Sequence, residues 1–237
     1  MDLTNGLILK TTPYLDNTKI ISILTEKGKE IFTLKGATSL KSKAYQFSQE
    51  LILISYAVKK NYFIGGKINK VYPKIKENIK TLNYAWQMVE LLDTLSQHVK
   101  ESKTLYDFTL STLELLESGI NPSLVYLIYI LKNLYLFGIE PSFKHCSECG
   151  TNNNLHRFVT LSGGMLCENC YRNQNLVSFE IVDILKYLYY TKLENINFNL
   201  IENIHNINEA SSVVKTFYEH FLGYVSKTEK LIKNIIN

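Results

Sequence analysis

Three apolar runs lie in GLILKTTPYLDNTKIISILTEKGKEIFTLKGA, residues 6–37, and turn-forming residues separate them. Their β-branched residues and the tight EKGK turn are typical of strands joined by short connections. Two more runs follow. Residues 49–58 have the composition of a strand covered on both faces. Residues 61–73 contain Gly65 and Gly66, which predict a bulge or a sharp bend. Five short strands without helical periodicity between them predict a small closed barrel of the oligonucleotide/oligosaccharide-binding type, the OB-fold.

The hydrophobic period changes after Pro73, where apolar residues begin to recur at helical spacing. Pro122 suits the first turn of one helix, and Asn121 suits its N-cap. The predicted helices cover about residues 82–99, 103–118, 121–138, 179–194 and 208–236.

All four cysteines of the chain lie in two C-x2-C pairs, HCSECG and LCENCY, between two of these helices. Their spacing predicts a structural zinc site with Cys146, Cys149, Cys167 and Cys170 as ligands. Four sulfurs fill a tetrahedral site and leave no position for a catalytic water. The alternatives are a redox dithiol, although no βαβ pattern accompanies the pairs, and replacement of one cysteine by His145 or His156.

The predicted fold class is therefore α+β, with an N-terminal five-stranded OB-fold barrel and a mainly α-helical domain that contains an inserted four-cysteine zinc-finger segment. We expect a nucleic-acid-binding domain at residues 1–80 and the helical domain at residues 81–237, with the zinc segment at residues 144–173.

Positive charge is concentrated in the first third of the chain. Residues 1–80 carry 14 lysines and 6 acidic residues, whereas residues 81–237 carry 12 basic and 16 acidic residues. Such asymmetry indicates a nucleic-acid-binding module, with a lysine-rich surface kept for solubility as the alternative. The candidate phosphate contacts are Lys10, Lys35, Lys41, Lys43, Lys59 and Lys60. The candidates for base stacking are Tyr14, Phe32, Tyr45, Tyr62 and Phe63, although most aromatic residues of a small barrel belong to its core.

No catalytic motif emerges from the sequence. NYFIGGK, residues 61–67, lacks the first glycine of a phosphate-binding loop, and Ile68 stands where serine or threonine belongs. The N-terminus lacks the pattern of a signal peptide, and Lys132 and Asn133 interrupt the longest apolar stretch. We therefore expect an intracellular protein in a reducing compartment, most simply the bacterial or nuclear interior.

Several phrases together resemble the bacterial recombination mediator family RecO. The basic strand and loop of that family resemble FTLKGATSLKSK in this chain. Its first long helix resembles YAWQMVELLDTL. Its zinc segment resembles NLYLFGIEPSFKHCSECG and LSGGMLCENC. The resemblance implies a protein that binds single- and double-stranded DNA, anneals complementary strands, and associates with RecR and with the C-terminal tail of the single-strand-binding protein. Such a protein helps to load RecA onto single strands coated by the single-strand-binding protein. The resemblance thus implies a non-enzymatic protein of the bacterial cytoplasm, associated with the nucleoid.

On this chain the resemblance makes Lys35, Lys41 and Lys43 the expected phosphate contacts, while the residues that bind the tail stay unassigned. Two other classes remain open: an RNA-binding zinc-ribbon accessory factor, and a zinc-ribbon-bearing nucleic-acid enzyme. The enzyme would require clustered carboxylates or a nucleotide-binding loop.

Overall fold

The computed structural model describes residues 3–174, 176–198 and 206–236. Its N-terminal part is a closed barrel in which the strands follow the order β1-β2-β3-β5-β4. β3 and β5 pair in parallel, and the other neighbours pair antiparallel. The predicted five-stranded barrel is thereby confirmed. The strands are β1 (Thr4–Pro13), β2 (Thr18–Thr25), β3 (Gly28–Lys35), β4 (Ile52–Lys59) and β5 (Tyr62–Val71).

Alternate side chains of β4 face the barrel core. Ile52, Ile54 and Tyr56 of β4 lie in the core, whereas Leu53 and the alternate residues that follow it are only half-buried. The prediction of a strand covered on both faces, beginning before Ile52, is therefore wrong. The predicted bulge is confirmed, because the β4–β5 register shifts by one residue beside the glycine pair.

Seven α-helices follow the barrel in the described part of the chain. Asn121 caps the fourth as predicted, since its Oδ1 accepts a hydrogen bond from the backbone N–H of Ser123 at 3.1 Å. Among the described residues, each helix is too short or too polar to span a bilayer. The helices are α1 (Pro73–Glu77), α2 (Ile79–Leu95), α3 (Ser102–Ser118), α4 (Pro122–Leu136), α5 (Phe179–Tyr190), α6 (Ile207–Leu222) and α7 (Lys227–Ile236). A two-stranded sheet, β6 (Leu155–Val159) and β7 (Gly164–Cys167), lies between α4 and α5.

The prediction of one helix over residues 208–236 is wrong, because two helices occupy this segment. Gly223 ends α6 in the left-handed conformation, with φ of 63°. The N–H of Gly223 donates to the carbonyl of Glu219, and the N–H of Tyr224 donates to the carbonyl of Tyr218. This pattern closes a helix C-terminus and is favoured by glycine.

The contacts divide the chain into two compact units: residues 1–119 together with 226–237, and residues 120–225. The first unit extends beyond the barrel because α2 packs on β1 and α3 on β2. The barrel ends at Val71, before the predicted domain boundary at residue 80. That boundary separates a domain predicted to bind nucleic acid from the helical domain, and it stays a prediction.

Asp93 of α2 is the main polar link between that helix and the barrel. Its Oδ1 accepts a hydrogen bond from Ser22 at 2.8 Å and lies 3.3 Å from Nζ of Lys29. Lys29 is largely buried, with 8% of its side chain exposed, and it also donates to the carbonyl of Asp93. A buried ammonium requires such a counter-charge.

A second carboxylate of α2 caps the last helix. Glu90 accepts hydrogen bonds from the hydroxyl of Ser226 at 2.7 Å and from the backbone N–H groups of Lys227 and Thr228 at 2.7 and 3.1 Å. Burial opposes ionisation of Glu90, but these hydrogen bonds outweigh it and lower its pKa. The first turn of α7 is thereby fixed to α2.

Candidate metal centre and nucleic-acid interface

The four cysteine sulfurs converge in the second unit. All four Sγ atoms lie within 4.8 Å of one another, and those of Cys149 and Cys167 are 3.7 Å apart. A tetrahedral zinc ion with bonds of about 2.3 Å places its sulfur ligands about 3.8 Å apart. The geometry therefore fits the predicted metal site. Soft thiolate ligands of this kind suit zinc, copper(I) or iron–sulfur chemistry rather than magnesium or calcium.

Two tight turns bring the sulfurs together. In the first turn, the N–H of Gly150 donates to the carbonyl of Cys146 at 2.8 Å, and the N–H of Cys146 donates to that of Thr151 at 2.7 Å. In the second, the N–H groups of Cys170 and Tyr171 donate to the carbonyl of Cys167. β6 and β7 hold the second turn beside the first, because the N–H of Ser147 bonds to Met165 of β7.

Backbone donors also prepare one sulfur for metal binding. Burial of the Cys146 thiol raises its pKa, but backbone N–H groups of Cys149, Cys167 and Glu148 donate to its sulfur. The pKa of Cys146 is lowered as a result, to about 6. The pKa of Cys170 is instead raised, because its thiol is hydrogen-bonded to Cys167. Four adjacent thiols cannot all lose their protons without a counter-charge, because the thiolates repel one another. The cluster therefore favours a cation between its sulfurs.

The surroundings of the cluster support a structural role. Cys146 and Cys167 form a small core with Val159 and Leu166, and His156 packs its ring against a tyrosine at 5.2 Å. The described cluster of potential ligands contains the four cysteines and no histidine. The hairpin is also closely packed, because a Cβ on Gly164 would collide with the backbone of the preceding loop.

In the first unit, three connections of the barrel meet at the C-terminal end of β3. The carbonyl of Asn17, in the β1–β2 turn, accepts hydrogen bonds from Gly36 and Ala37, which follow β3. The carbonyl of Asn61, in the β4–β5 turn, accepts one from Thr33 of β3 at 2.8 Å. Because Thr33 and Gly36 are three residues apart, both turns lie beside the same strand end. OB-folds bind nucleic acids with the β2–β3 face and these two turns.

Five of the six predicted phosphate contacts are exposed and lie at the ends of β3 and β4 or in the connections that follow these strands. Nζ of Lys35 lies 4.6 Å from the centre of the Tyr62 ring, and Lys59 pairs with Tyr62 between β4 and β5. Lys41 and Lys43 flank Ser42, which packs closely against Gly36. We call the surface formed by Lys35, Lys41, Lys43, Lys59 and Lys60 the basic barrel end.

The sequence around this surface is strongly biased toward positive charge. Residues 31–76 contain nine lysines and a single acidic residue, Glu50. Glu50 accepts a hydrogen bond from the N–H of Thr11, and burial raises its pKa. A surface of this composition attracts polyanions.

Lys10, the sixth predicted contact, has a different environment. Its Nζ lies 3.7 Å from Oδ2 of Asp93, so a carboxylate already neutralises it. Sequence reasoning could not find this pair, because the two residues are 83 positions apart.

The aromatic candidates also divide by environment. Tyr14 and Tyr62 are exposed, with 60% and 46% of their surface accessible, and Tyr45 is half-buried. Phe63 lies in the barrel core, and Phe32 packs against that core with its ring 5.6 Å from Tyr56. Packing therefore disfavours base stacking by both phenylalanines, whereas the tyrosines remain candidates.

Comparison with known proteins assigns the family. The model of the family described as Recombination protein O C terminal matches residues 76–228, which is more than half of the chain. The chain belongs to the RecO family. The resemblance seen in the sequence is thereby confirmed, and RecO is a family of DNA repair and recombination proteins.

Relatives named DNA repair protein RecO align over nearly the whole chain, including the barrel. The protein of Bacillus subtilis (strain 168) is 25% identical over 236 residues, which cover 96% of this chain and 92% of the relative. That of Listeria monocytogenes serotype 4a (strain HCC23) is 24% identical over 247 residues, with 99% and 95% covered. That of Bacillus cereus (strain AH187) is 25% identical over 238 residues, with 97% and 96% covered.

Proposed function

We propose that this RecO-family chain binds single- and double-stranded DNA through the basic barrel end and anneals complementary strands without catalysing a reaction. The observation that carries the proposal is the presence of five exposed lysines at the barrel end where three connections are joined beside the end of β3. Lysines that neutralise phosphates lower the repulsion between two strands and so allow them to pair.

Lysine rather than arginine supplies all the positive charge of this surface. An ammonium group is a point charge without the planar fork with which arginine binds phosphate or guanine through two hydrogen bonds. Binding is therefore expected to depend little on base sequence and strongly on salt.

The family resemblance supports three partners for this activity. RecR is the proposed partner of the barrel, and the tail of the single-strand-binding protein is the proposed ligand of the helical part, with no residues assigned. Together these contacts would help to load RecA onto coated single strands.

We further propose that Cys146, Cys149, Cys167 and Cys170 hold one structural Zn²⁺. The ion would fix the two turns and the β6–β7 hairpin, and four thiolates leave it no open position for substrate.

A salt titration with a matched control tests the DNA-binding surface. Binding of the full chain to labelled single-stranded DNA is followed by fluorescence anisotropy for the wild type and for a Lys35→Gln/Lys59→Gln/Lys60→Gln variant. Each lost phosphate contact lowers the slope of log K against log salt by about 0.7, so we expect a total change of about 2. The control variant, Lys100→Gln/Lys186→Gln/Lys230→Gln, removes the same charge from exposed positions elsewhere.

An equal loss of binding in the two variants would show that net charge, rather than this surface, holds DNA. Annealing of complementary strands is then measured without any nucleotide. Wild-type protein that fails to bind DNA at low salt contradicts the proposed function, and so does binding without annealing. A peptide copying the tail of the single-strand-binding protein tests that partner separately.

A further inference from the structure

Two turns at the basic barrel end expose large apolar side chains. Leu40, between β3 and β4, has 80% of its surface accessible, and Leu15, between β1 and β2, has 67%. Single exposed leucines are common on protein surfaces. These two differ because both lie in connections that are joined to each other at the basic barrel end.

The backbone of both tips is well defined. The N–H of Ser42 donates to the carbonyl of Ser39 at 2.9 Å, so Leu40 and Lys41 occupy the corners of a β-turn. The N–H of Thr18 donates to the carbonyl of Leu15, also at 2.9 Å, and closes a second turn. Each leucine is thus presented by a hydrogen-bonded turn.

A single residue fastens the two turns together. Oδ1 of Asn17 accepts hydrogen bonds from the hydroxyl of Thr38 at 2.6 Å and from its N–H at 3.2 Å. Leu15 is two residues before Asn17, and Leu40 is two residues after Thr38. The two tips therefore belong to one braced structure.

That structure is anchored in the barrel core. Ser42 caps the 3₁₀ helix Lys43–Phe47 by accepting a hydrogen bond from the N–H of Ala44, and Phe47 is buried in the core. The turn that carries Leu40 is therefore held to the barrel on both sides. A rigid apolar tip is what inserting a side chain between stacked bases requires.

We propose that Leu15 and Leu40 form a wedge that inserts between neighbouring bases of the DNA strand held by the adjacent lysines. The proposal rests on the proposed function and adds a way in which bound DNA becomes ready for pairing. Lys41 and Lys43, which follow Leu40, hold phosphates beside the inserted leucine, and the loss of base stacking is offset by these contacts and by burial of the side chains. Unstacked bases are accessible to a complementary strand.

Charge favours DNA over a protein as the occupant. Residues 31–49 contain Lys35, Lys41 and Lys43 and no acidic residue, so the Leu40 tip stands in a positive field, and Asp16 is the single acidic residue of the Leu15 turn. Apolar side chains inserted beside lysines are a recurring device for kinking or unstacking DNA. A protein partner remains an outcome that the experiment distinguishes.

The test separates DNA binding from base unstacking. Full-length protein is added at saturating concentration to an oligonucleotide that carries 2-aminopurine, whose fluorescence rises when it loses its stacking neighbours. Anisotropy of a second, terminally labelled oligonucleotide measures affinity. The variants are Leu40→Ser and Leu15→Ser, and Leu161→Ser makes the same change at a leucine of the other unit that is 58% exposed.

We expect wild-type protein and Leu161→Ser to raise the fluorescence, and Leu40→Ser and Leu15→Ser to lose most of this rise while keeping their salt slope. Lys41→Gln is expected to do the reverse, with weaker binding but a full rise at saturation. The wedge is refuted if saturating wild-type protein leaves the fluorescence unchanged, or if both leucine variants retain the rise. It is also refuted if the leucine variants unstack DNA normally but no longer bind RecR. Absence of binding at low salt contradicts the proposed function itself.

Discussion

Replacing Asp93 by asparagine removes the negative charge that faces Lys29. The side chain of Lys29 is 8% exposed, and the Asp93 side chain is 22% exposed. Removing one partner of a buried ion pair costs about 3–5 kcal/mol, and the partial exposure of Asp93 places this pair at the low end. We therefore expect Asp93→Asn to lower the free energy of unfolding of the first unit by about 3 kcal/mol.

Lys10 provides a matched control, because it faces the same carboxylate from solvent. Its Nζ lies 3.7 Å from Oδ2 of Asp93, and 58% of its side chain is exposed. Exposed pairs contribute about 1 kcal/mol or less. Lys10→Gln is therefore expected to change stability by no more than this, although the distance is similar to the 3.3 Å between Asp93 and Lys29.

The single tryptophan makes the measurement specific to this unit. Trp86 lies in α2, so its fluorescence during urea unfolding reports on the helix that Asp93 joins to the barrel. In the double variant Asp93→Asn/Lys29→Met no buried charge is left unpaired, and part of the stability should return. Equal, small losses for Asp93→Asn and Lys10→Gln, or no recovery in the double variant, would refute the reasoning from burial.

Three further outcomes are expected. Cys149→Ser should reduce bound zinc from one ion per chain to nearly none, measured by elemental analysis after dialysis, whereas full retention would contradict four-cysteine ligation. Glu90→Gln should weaken the cap of α7 by about 1 kcal/mol, seen as faster hydrogen exchange at residues 227–231 but not in a Glu77→Gln control. The pKa of Glu90 is lowered from its ordinary value of 4.5, so this cap is present at neutral pH. It is lost only as the pH falls below 4.5 and through the lowered pKa. Faster hydrogen exchange at residues 227–231 already at pH 6 would contradict this. Lys35→Gln should lower the salt slope of DNA binding by about 0.7 while Lys10→Gln leaves it unchanged, and equal slopes would show that Asp93 does not neutralise Lys10.

The barrel and the cysteine cluster could be predicted because their signals are local. Apolar runs rich in β-branched residues, with turn residues between them, identify strands, and the C-x2-C spacing by itself places two sulfurs on one turn. The family phrases depend on the same short-range patterns. Each of these features is encoded within a few neighbouring residues.

The features that sequence reasoning missed depend on contacts between distant residues. The ion pair of Lys10 with Asp93 and the capping of α7 by Glu90 join residues that only the folded chain brings together. The packing of Phe32 against the core could not be predicted for a different reason. A one-residue shift in strand register decides whether a side chain faces the core or solvent. The helix break at Gly223 was missed because apolar spacing continues on both sides of it.

The contact between Asn17 and Thr38 could be predicted only in part. An asparagine in a turn is a recognisable signal for the left-handed conformation, which this residue adopts with φ of 53°. Its partner Thr38, however, follows the next strand but one, and no local pattern identifies it.

The division of the chain also has a consequence for the order in which the protein is completed during synthesis. Residues 226–237 belong to the first unit, yet the ribosome produces them after the whole of residues 120–225. At typical rates of synthesis this interval lasts roughly 5 to 20 seconds. Throughout that time Glu90 has no helix to cap, and the barrel with α2 and α3 must persist without its last element while the metal-binding unit is already available to fold.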